Sequence, residues 1–204
     1  MPAGSPPPTP PTPPTPPTPP SPNETALKLD DDATQKVSLG FSFPFYGQSY
    51  SEGFVNSDGN LTFGSGEGIA VNRNAAQFLY GPPRIALLFA DLNPTAGGSV
   101  STRHDDAQSI TISYKDVALF GGGGTVSGSI KLEASGKITI SIATATGSSY
   151  ITGLSHGGSG NAAPETDLST VPSPIPYAKS GASYEVFGYK SFDLAGKTLV
   201  FVKQ

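Results

Sequence analysis

The side chains best suited to bind a metal are three consecutive aspartates, Asp30, Asp31 and Asp32. Calcium takes several carboxylate and carbonyl oxygens supplied by loops, so this triplet is the candidate calcium site. The alternative interpretation is a solvated turn, since the interleaved Asp-x-Asp-x-Asp-Gly frame is absent. The separate Asp91 is expected to cap the turn that follows it. No other cofactor is predicted.

Catalytic chemistry finds little support in the sequence. Cysteine is absent, and the two histidines are His104 and His156. Ser155 precedes His156, but the Gly-x-Ser-x-Gly frame of a nucleophile elbow is missing. The glycine run at 121–124 lacks the Gly-Lys-Ser/Thr that completes a phosphate-binding loop. We therefore predict a protein that is not an enzyme.

Hydroxyl and amide side chains near the N terminus are candidate glycosylation sites. From Ser5 to Pro22 the sequence is mostly proline, and hydroxyls recur at every third residue. A polyproline II helix has three residues per turn, so these hydroxyls align along one edge. Two Asn-x-Thr motifs of the N-glycosylation type are also present. The candidate sites are Thr9, Thr12, Thr15, Thr18, Ser21, Asn23 and Asn60.

The proline-rich stretch is predicted to be a stiff arm, residues 1–24, that precedes a single domain, residues 25–204. The eighteen residues from Ser5 to Pro22 extend roughly 55 Å at about 3.1 Å each, whereas a domain of about 180 residues is only about 40 Å across. The arm therefore reaches beyond its own domain. The next residues, Ala26, Leu27, Lys28 and Leu29, alternate in polarity. They can complete their own sheet or extend the sheet edge of a neighbouring subunit.

Composition excludes several classes of protein. Charged residues make up 14% of the chain and the net charge is -4, so a basic surface for nucleic acid is not predicted. No apolar run reaches the roughly 18 residues of a membrane span. A Pro-Thr arm beside a Gly-, Ser- and Thr-rich body is typical of extracellular proteins. An extracellular or cell-surface location is therefore predicted.

The body of the chain is predicted to form short β-strands. From Val37 to Phe43 apolar and small polar residues alternate with the period of a half-buried strand. Asp58-Gly59 suits a hairpin turn, and Arg84–Ala90 has the continuous apolar run of a buried strand. About ten such strands predict an all-β fold, a two-sheet antiparallel sandwich or jelly roll preceded by a polyproline II arm.

Two long stretches are predicted as loops, Gly64–Pro83 and Ser155–Gly181. The second contains four prolines, and the first holds the only stretch expected to form one or two helical turns, Asn72–Leu79. Loops of this length in a compact domain are usually functional or docked on a neighbour.

Two blocks of sequence follow each other at a distinctive spacing. The first is LGFSFPFYG at Leu39–Gly47, and the second is FVNSDGNLTFG at Phe54–Gly64. Later come Pro83–Ala86, Ala90–Pro94 and the pair Gly97-Gly98. Together they resemble nidogen-like extracellular modules and their relatives in bacterial surface proteins, over roughly residues 37–153. The resemblance implies a non-catalytic part of an adhesive or matrix protein.

These observations predict a repeating subunit of a surface fibre, assembled with copies of itself through the β-domain and the arm. The alternative is an adhesin or carbohydrate-binding module tethered by a glycosylated Pro-Thr linker, with surface glycans as partners. Tryptophan, the best platform for a sugar ring, is absent. The tyrosines that can replace it are Tyr46, Tyr50, Tyr80 and Tyr177.

Overall fold

A computed structural model describes residues 23–67, 73–147, 149–158, 163–178, 181–188 and 192–204. Within these ranges the chain forms fourteen β-strands and one short α-helix, which confirms the predicted all-β class. The predicted arm lies outside the described residues up to position 22, and with it the candidate sites Thr9, Thr12, Thr15, Thr18 and Ser21. The boundary predicted between arm and domain stays a prediction.

The elements are numbered in chain order. They are β1 (Glu24–Leu27), β2 (Thr34–Phe45), β3 (Gln48–Asn56), β4 (Asn60–Thr62), α1 (Ala75–Tyr80), β5 (Arg84–Phe89), β6 (Leu92–Asn93), β7 (Ser99–Asp106), β8 (Ser109–Leu119), β9 (Thr125–Glu133), β10 (Ile138–Ala145), β11 (Ile151–Ser155), β12 (Ile175–Tyr177), β13 (Ala182–Val186) and β14 (Thr198–Lys203).

The strands form the two sheets of a sandwich, as predicted. The larger sheet has the order β1-β7-β8-β9-β10-β14-β12, with β6 paired to β8, and the smaller has the order β13-β11-β5-β4-β3-β2. Their inner faces share one main hydrophobic core. Neighbouring strands pair antiparallel except β12 and β14, which run parallel. Strand β1 is therefore an edge strand of the larger sheet, and β2 is an edge strand of the smaller sheet.

The position of β5 in the fold explains why apolar and polar residues do not alternate in its sequence. It lies between β11 and β4, and all six of its residues are buried. Ile85 and Leu87 belong to the main core, whereas Ala86 and Phe89 pack in a second cluster with Phe78 of α1. Both faces of the strand are covered, so both carry apolar residues.

Both predicted long loops contain regular structure. Helix α1 lies in the first and begins where the Asn74 side chain accepts a hydrogen bond from the Gln77 amide at 2.9 Å, a standard N-cap. Strand β12 lies in the second, with Ile175 and Tyr177 buried and Pro176 exposed between them. Among the described residues α1 is the only helix, and its six residues are far too few to cross a bilayer.

The segment predicted to take part in assembly pairs within its own chain. Ala26 lies opposite Ser101 of β7, and Leu27 lies opposite Val100. The two residues that follow leave the sheet: the Lys28 amide donates to the Gln35 side chain at 3.1 Å, and Leu29 is buried in the core. Ala26 and Leu27 thus complete their own sheet, the first of the two alternatives, whereas Lys28 and Leu29 do not, and pairing of the segment with another subunit stays a prediction.

Candidate metal centre and its surroundings

Carboxylates from two distant parts of the chain meet beside β5. Asp31 and Asp32 lie between β1 and β2, Asp91 follows β5, and one oxygen from each of the three lies within 4.8 Å of the others. Asp30, the third ligand predicted from the sequence, points to solvent and is not part of this group. The cluster therefore contains two of the predicted residues and one that is about sixty positions away.

The turn after β5 is capped by a different residue from the one expected. The Asn93 side-chain oxygen accepts from the Thr95 amide at 2.9 Å and from the Ala96 amide at 3.2 Å. The Asp91 side chain instead faces the carboxylate cluster, so its predicted capping role was wrong. An asparagine and an aspartate can both cap a turn, and sequence alone does not separate them.

A guanidinium group already contacts the cluster. Arg73 Nε donates to Asp58 Oδ2 at 2.8 Å, and Nη2 lies 3.3 Å from Asp91 Oδ1 and also contacts Asp32 Oδ1. Four carboxylates, counting Asp31, thus share one positive side chain, which leaves net negative charge if all are ionised. Asp31 Oδ1 is shielded from solvent and has no hydrogen-bond partner among the described residues.

Burial makes two of these carboxyl groups harder to ionise. Asp58 is 2% exposed, and burial raises its pKa to about 6, although hydrogen bonds from Arg73 and from the Leu92 amide favour the charged form. Burial also raises the pKa of Asp31, with smaller contributions from the charges of Asp32 and Asp91. Positive charge near the cluster is therefore stabilising at neutral pH.

We expect the Asp58 carboxyl to titrate near pH 6 in the folded protein. Its folded pKa lies above the ordinary 3.8, so the folded state binds this proton more tightly than the unfolded state. The resulting stabilisation, on the order of 3 kcal/mol, is fully present below about pH 4 and is lost as the pH rises through 6. Carbon-13 NMR of the Asp58 side chain measures the midpoint, and Asp58→Asn should remove this part of the pH dependence. A midpoint near 4 would contradict the prediction.

Calcium binding stays a prediction after the geometry is known. Asp31, Asp32 and Asp91 supply hard oxygen ligands, fewer than the six to eight that calcium takes, and Arg73 competes for two of them. If calcium binds, millimolar calcium should raise the melting temperature, and Asp31→Asn should abolish the shift. Asp30→Asn is the matched control and should retain it. An unchanged melting temperature in the unsubstituted protein would exclude the site.

The second motif block forms a buried turn. The Ser57 amide donates to the Ala33 carbonyl at 2.9 Å, and the Ala33 amide donates to Ser57 Oγ at 3.0 Å. The Gly59 carbonyl accepts from the amides of Leu87 and Leu88 at 3.0 and 3.2 Å. The block therefore ties the start of β2 and the whole of β5 to one hairpin, which is a structural role.

Asparagine side chains on both sides of this turn are part of the same network. Asn56 Nδ2 donates to Asn60 Oδ1 at 3.0 Å and to Thr62 Oγ1 at 3.2 Å, and Asn56 Oδ1 accepts from the Glu67 amide at 3.0 Å. Asn60 Nδ2 in turn donates to the Asp58 carbonyl at 3.3 Å.

The prediction that Asn60 carries a glycan is wrong for the folded chain. Asn60 is 0% exposed. Its Nδ2, the atom that would carry the sugar, is buried and donates a hydrogen bond to the Asp58 carbonyl. A glycan there would have to displace the surrounding strands. Asn23 lies at the surface before β1 and stays a candidate site.

A buried ion pair on β5 was not predicted. Arg84 is 0% exposed, and its two terminal nitrogens donate to the two oxygens of Glu67 at 2.7 and 2.8 Å. Nη2 also donates to the Gln77 carbonyl at 3.1 Å, and the guanidinium carbon lies 4.7 Å from the centre of the Phe89 ring. This bidentate pair and the Gln77 contact fasten Glu67 and α1 to the outer face of the smaller sheet.

The two histidines have packing contacts instead of catalytic partners. A side-chain carbon at Gly40 would lie 3.1 Å from the His104 ring, so this ring covers the β2 backbone. His156 Nδ1 lies 2.9 Å from the Gly157 carbonyl, and its ring meets Tyr46 edge to face at 5.6 Å. Within the described residues no serine or carboxylate is hydrogen-bonded to either ring.

Most of the tyrosines named as platforms for sugar rings are covered. Tyr46 and Tyr177 are buried, and the half-buried Tyr50 stacks on Phe63 with ring centres 4.6 Å apart. Tyr80, at the end of α1, is 48% exposed. It is the one tyrosine of the four whose ring is open to a ligand.

Comparison with known protein families gives a match to the family described as NIDO related, over residues 15–200. No curated protein and no solved structure matches the chain. The matched range includes both motif blocks, the buried turn that the second block forms, and the Arg84 strand. By this match over most of its length, the chain belongs to the nidogen-related family.

Proposed function

We propose that this protein is a non-catalytic structural subunit that assembles with copies of itself into an extracellular surface fibre. Membership in the nidogen-related family supports the broader part, an extracellular module of structural or adhesive type. The observation that carries the finer part is the position of β1. This strand lies at the edge of the larger sheet and continues directly from the proline-rich residues that precede it.

The N-terminal part of the chain offers main-chain groups for assembly. Strands β1 and β2 are the edge strands of the two sheets, and an edge strand carries unpaired N–H and C=O groups that can pair with another chain. Twenty-two residues precede Asn23, including the arm predicted to reach beyond its own domain. The edges and the arm are therefore joined in one continuous segment.

The polar side chains support a structural role over a catalytic one. Arg84 and Glu67 form a buried ion pair, and Arg73 contacts Asp58 as well as Asp32 and Asp91 of the carboxylate cluster. An acid–base mechanism needs groups that can reach a substrate, in a site that holds both. The ion pairs of Arg73 and Arg84 instead join loops to the strands.

Polymerisation of the full chain tests the proposal. We expect filaments by electron microscopy, and loss of these filaments when residues 1–22 are deleted, because the deletion removes the arm but keeps β1 intact. Four threonine-to-alanine changes at Thr9, Thr12, Thr15 and Thr18 provide the control, since they remove the candidate sugar sites and retain the prolines. A full chain that stays monomeric at every concentration would overturn the proposal.

The second candidate is a carbohydrate-binding module, favoured by the exposed ring of Tyr80. This function predicts a monomer that binds immobilised glycans, with binding lost in Tyr80→Ala because stacking on the ring is removed. Phe120→Ala is the matched control, since Phe120 is similarly exposed at 56%. Equal binding by both variants would exclude Tyr80 as the platform.

A further inference from the structure

We infer that β1 is an exchangeable strand: in the assembled protein, β1 of one copy pairs with β7 of the next copy. The inference rests on the proposed self-assembly and names the surface and the partner, a second copy of this chain. It follows from how β1 is held, from what lies beneath it, and from the segment that joins it to β2.

Strand β1 is a short element held from one side. It has four residues, two exposed and two half-buried, and among the described strands it pairs with β7 alone. Glu24 contacts the Ser101 hydroxyl, and Leu27 packs at the margin of the main core. A short strand that is paired along one side belongs to the parts of a fold that open most easily.

Strand β7 keeps its place without β1. It pairs with β8 along most of its length, from Ser99 opposite Lys115 to Asp106 opposite Ser109. Departure of β1 would expose the edge of β7 and uncover Val100, Ser101 and Thr102, which are at most 9% exposed when β1 is present. This edge has to be covered again.

The sequence that fits the vacated edge is β1 itself. Glu24, Thr25, Ala26 and Leu27 lie opposite Arg103, Thr102, Ser101 and Val100. A β1 strand from a second copy makes the same main-chain bonds, the same Glu24–Ser101 contact and the same Leu27 packing. Exchange of an identical element between copies needs no new complementarity, which is why it is a low-cost route to oligomers.

The connection between β1 and β2 is short and strained. Residues 28–32 lead to Ala33, which two hydrogen bonds fix to Ser57. Within this connection Asp32 has a φ of +51°, and Asp31 has a shielded oxygen without a partner close to two other carboxylates. Opening the connection relieves both, and short strained hinges favour strand exchange. Extraction of Leu29 from the core opposes it.

Exchange of β1 also moves whatever is attached to it. Residues 1–22 are continuous with β1, so they move to the neighbouring copy together with the strand. Each copy then donates one strand and receives another, and the connection is head to tail. An open chain of this kind grows into a fibre unless its ends meet.

Disulfide trapping with single-cysteine chains tests the exchange, because the protein has no cysteine of its own. Ala26 and Ser101 lie directly opposite each other on β1 and β7, at a spacing that suits a disulfide. Full-length Ala26→Cys and Ser101→Cys chains are unfolded together, refolded together and oxidised. We expect a product at twice the 20.9 kDa mass of one chain. The matched control is a mixture of Ser113→Cys and Ser129→Cys chains, which lie opposite each other on β8 and β9 of one hairpin.

The control mixture should remain at the mass of one chain, since β8 and β9 meet within the same copy. The proposed exchange is wrong if the mixture of Ala26→Cys and Ser101→Cys chains forms no heterodimer. It is also wrong if both mixtures cross-link equally. A chain with both changes, oxidised as a monomer, should fail to polymerise until it is reduced. If this locked chain forms filaments as well as the unsubstituted one, self-assembly stands and the exchange is wrong. If the unsubstituted chain forms none, the proposed function fails.

Discussion

Glu67→Ala is expected to lower the free energy of unfolding by about 3–5 kcal/mol, because it leaves the buried Arg84 guanidinium without its anion. Arg84 is fully buried, so water cannot replace the lost carboxylate, and only the Gln77 carbonyl remains as a hydrogen-bond acceptor. The loss should loosen the segment before α1 first. Urea denaturation followed by circular dichroism measures the effect, since the chain has no tryptophan for fluorescence.

Two further variants separate the charge from the packing. Glu67→Gln keeps the size of the side chain and one acceptor oxygen, so its loss of stability should be smaller than that of Glu67→Ala. The double change Glu67→Leu with Arg84→Met removes both charges and keeps most of the volume, and it should be close to the unsubstituted protein in stability. If Glu67→Ala loses less than about 1 kcal/mol, the ion pair does not have the role assigned to it.

The strand pattern was predictable where local sequence decides it. The alternating stretch Val37–Phe43 lies within β2, and the Asp58-Gly59 turn forms the expected hairpin between β3 and β4. The continuous apolar run that begins at Arg84 forms β5, whose six residues are all buried as expected. In these segments the apolar pattern and the turn residues agree with the burial in the fold, so propensity and tertiary packing select the same structure.

Strand β12 was missed because its sequence argues against it. Ile175–Tyr177 contains Pro176 in a proline-rich stretch, and prolines are typical of loops. The strand forms at the end of the larger sheet, where β14 is its one partner among the described strands. A proline at a sheet edge removes no bond that the sheet needs.

Side-chain partners that are distant in the sequence could not be predicted. The cluster of Asp31 and Asp91 depends on how the β1–β2 connection folds over the end of β5, and the Glu67–Arg84 pair depends on α1 folding back over the smaller sheet. An arginine inside an apolar run was the only sign of the pair. Asn60 illustrates the same limit. The glycosylation motif can be read from three neighbouring residues, whereas the burial of its asparagine depends on strands that are distant in the sequence.

Gly59→Ala is expected to be the most damaging single-methyl change in the buried turn. A side-chain carbon at Gly59 would lie 2.3 Å from the Leu88 carbonyl oxygen and 3.1 Å from its carbon, both main-chain atoms of β5. Gly59 also has a φ of +72°, where an alanine pays roughly 1–2 kcal/mol. Strain and clash together should lower the free energy of unfolding by about 4 kcal/mol or more.

Gly64→Ala separates the two contributions, because Gly64 has nearly the same backbone conformation in open space. Its φ is +81°, and apart from its chain neighbours no described residue has an atom within 4 Å of the position that a side-chain carbon would take. It should lose only the roughly 1–2 kcal/mol of backbone strain. Hydrogen exchange adds a local measure, since the Leu87 and Leu88 amides both donate to the Gly59 carbonyl and should lose protection in Gly59→Ala alone. Equal losses of stability in the two variants would mean that the β5 backbone shifts to accommodate the added methyl group at Gly59. The motif block would then have some role other than fixing the hairpin to the central strand.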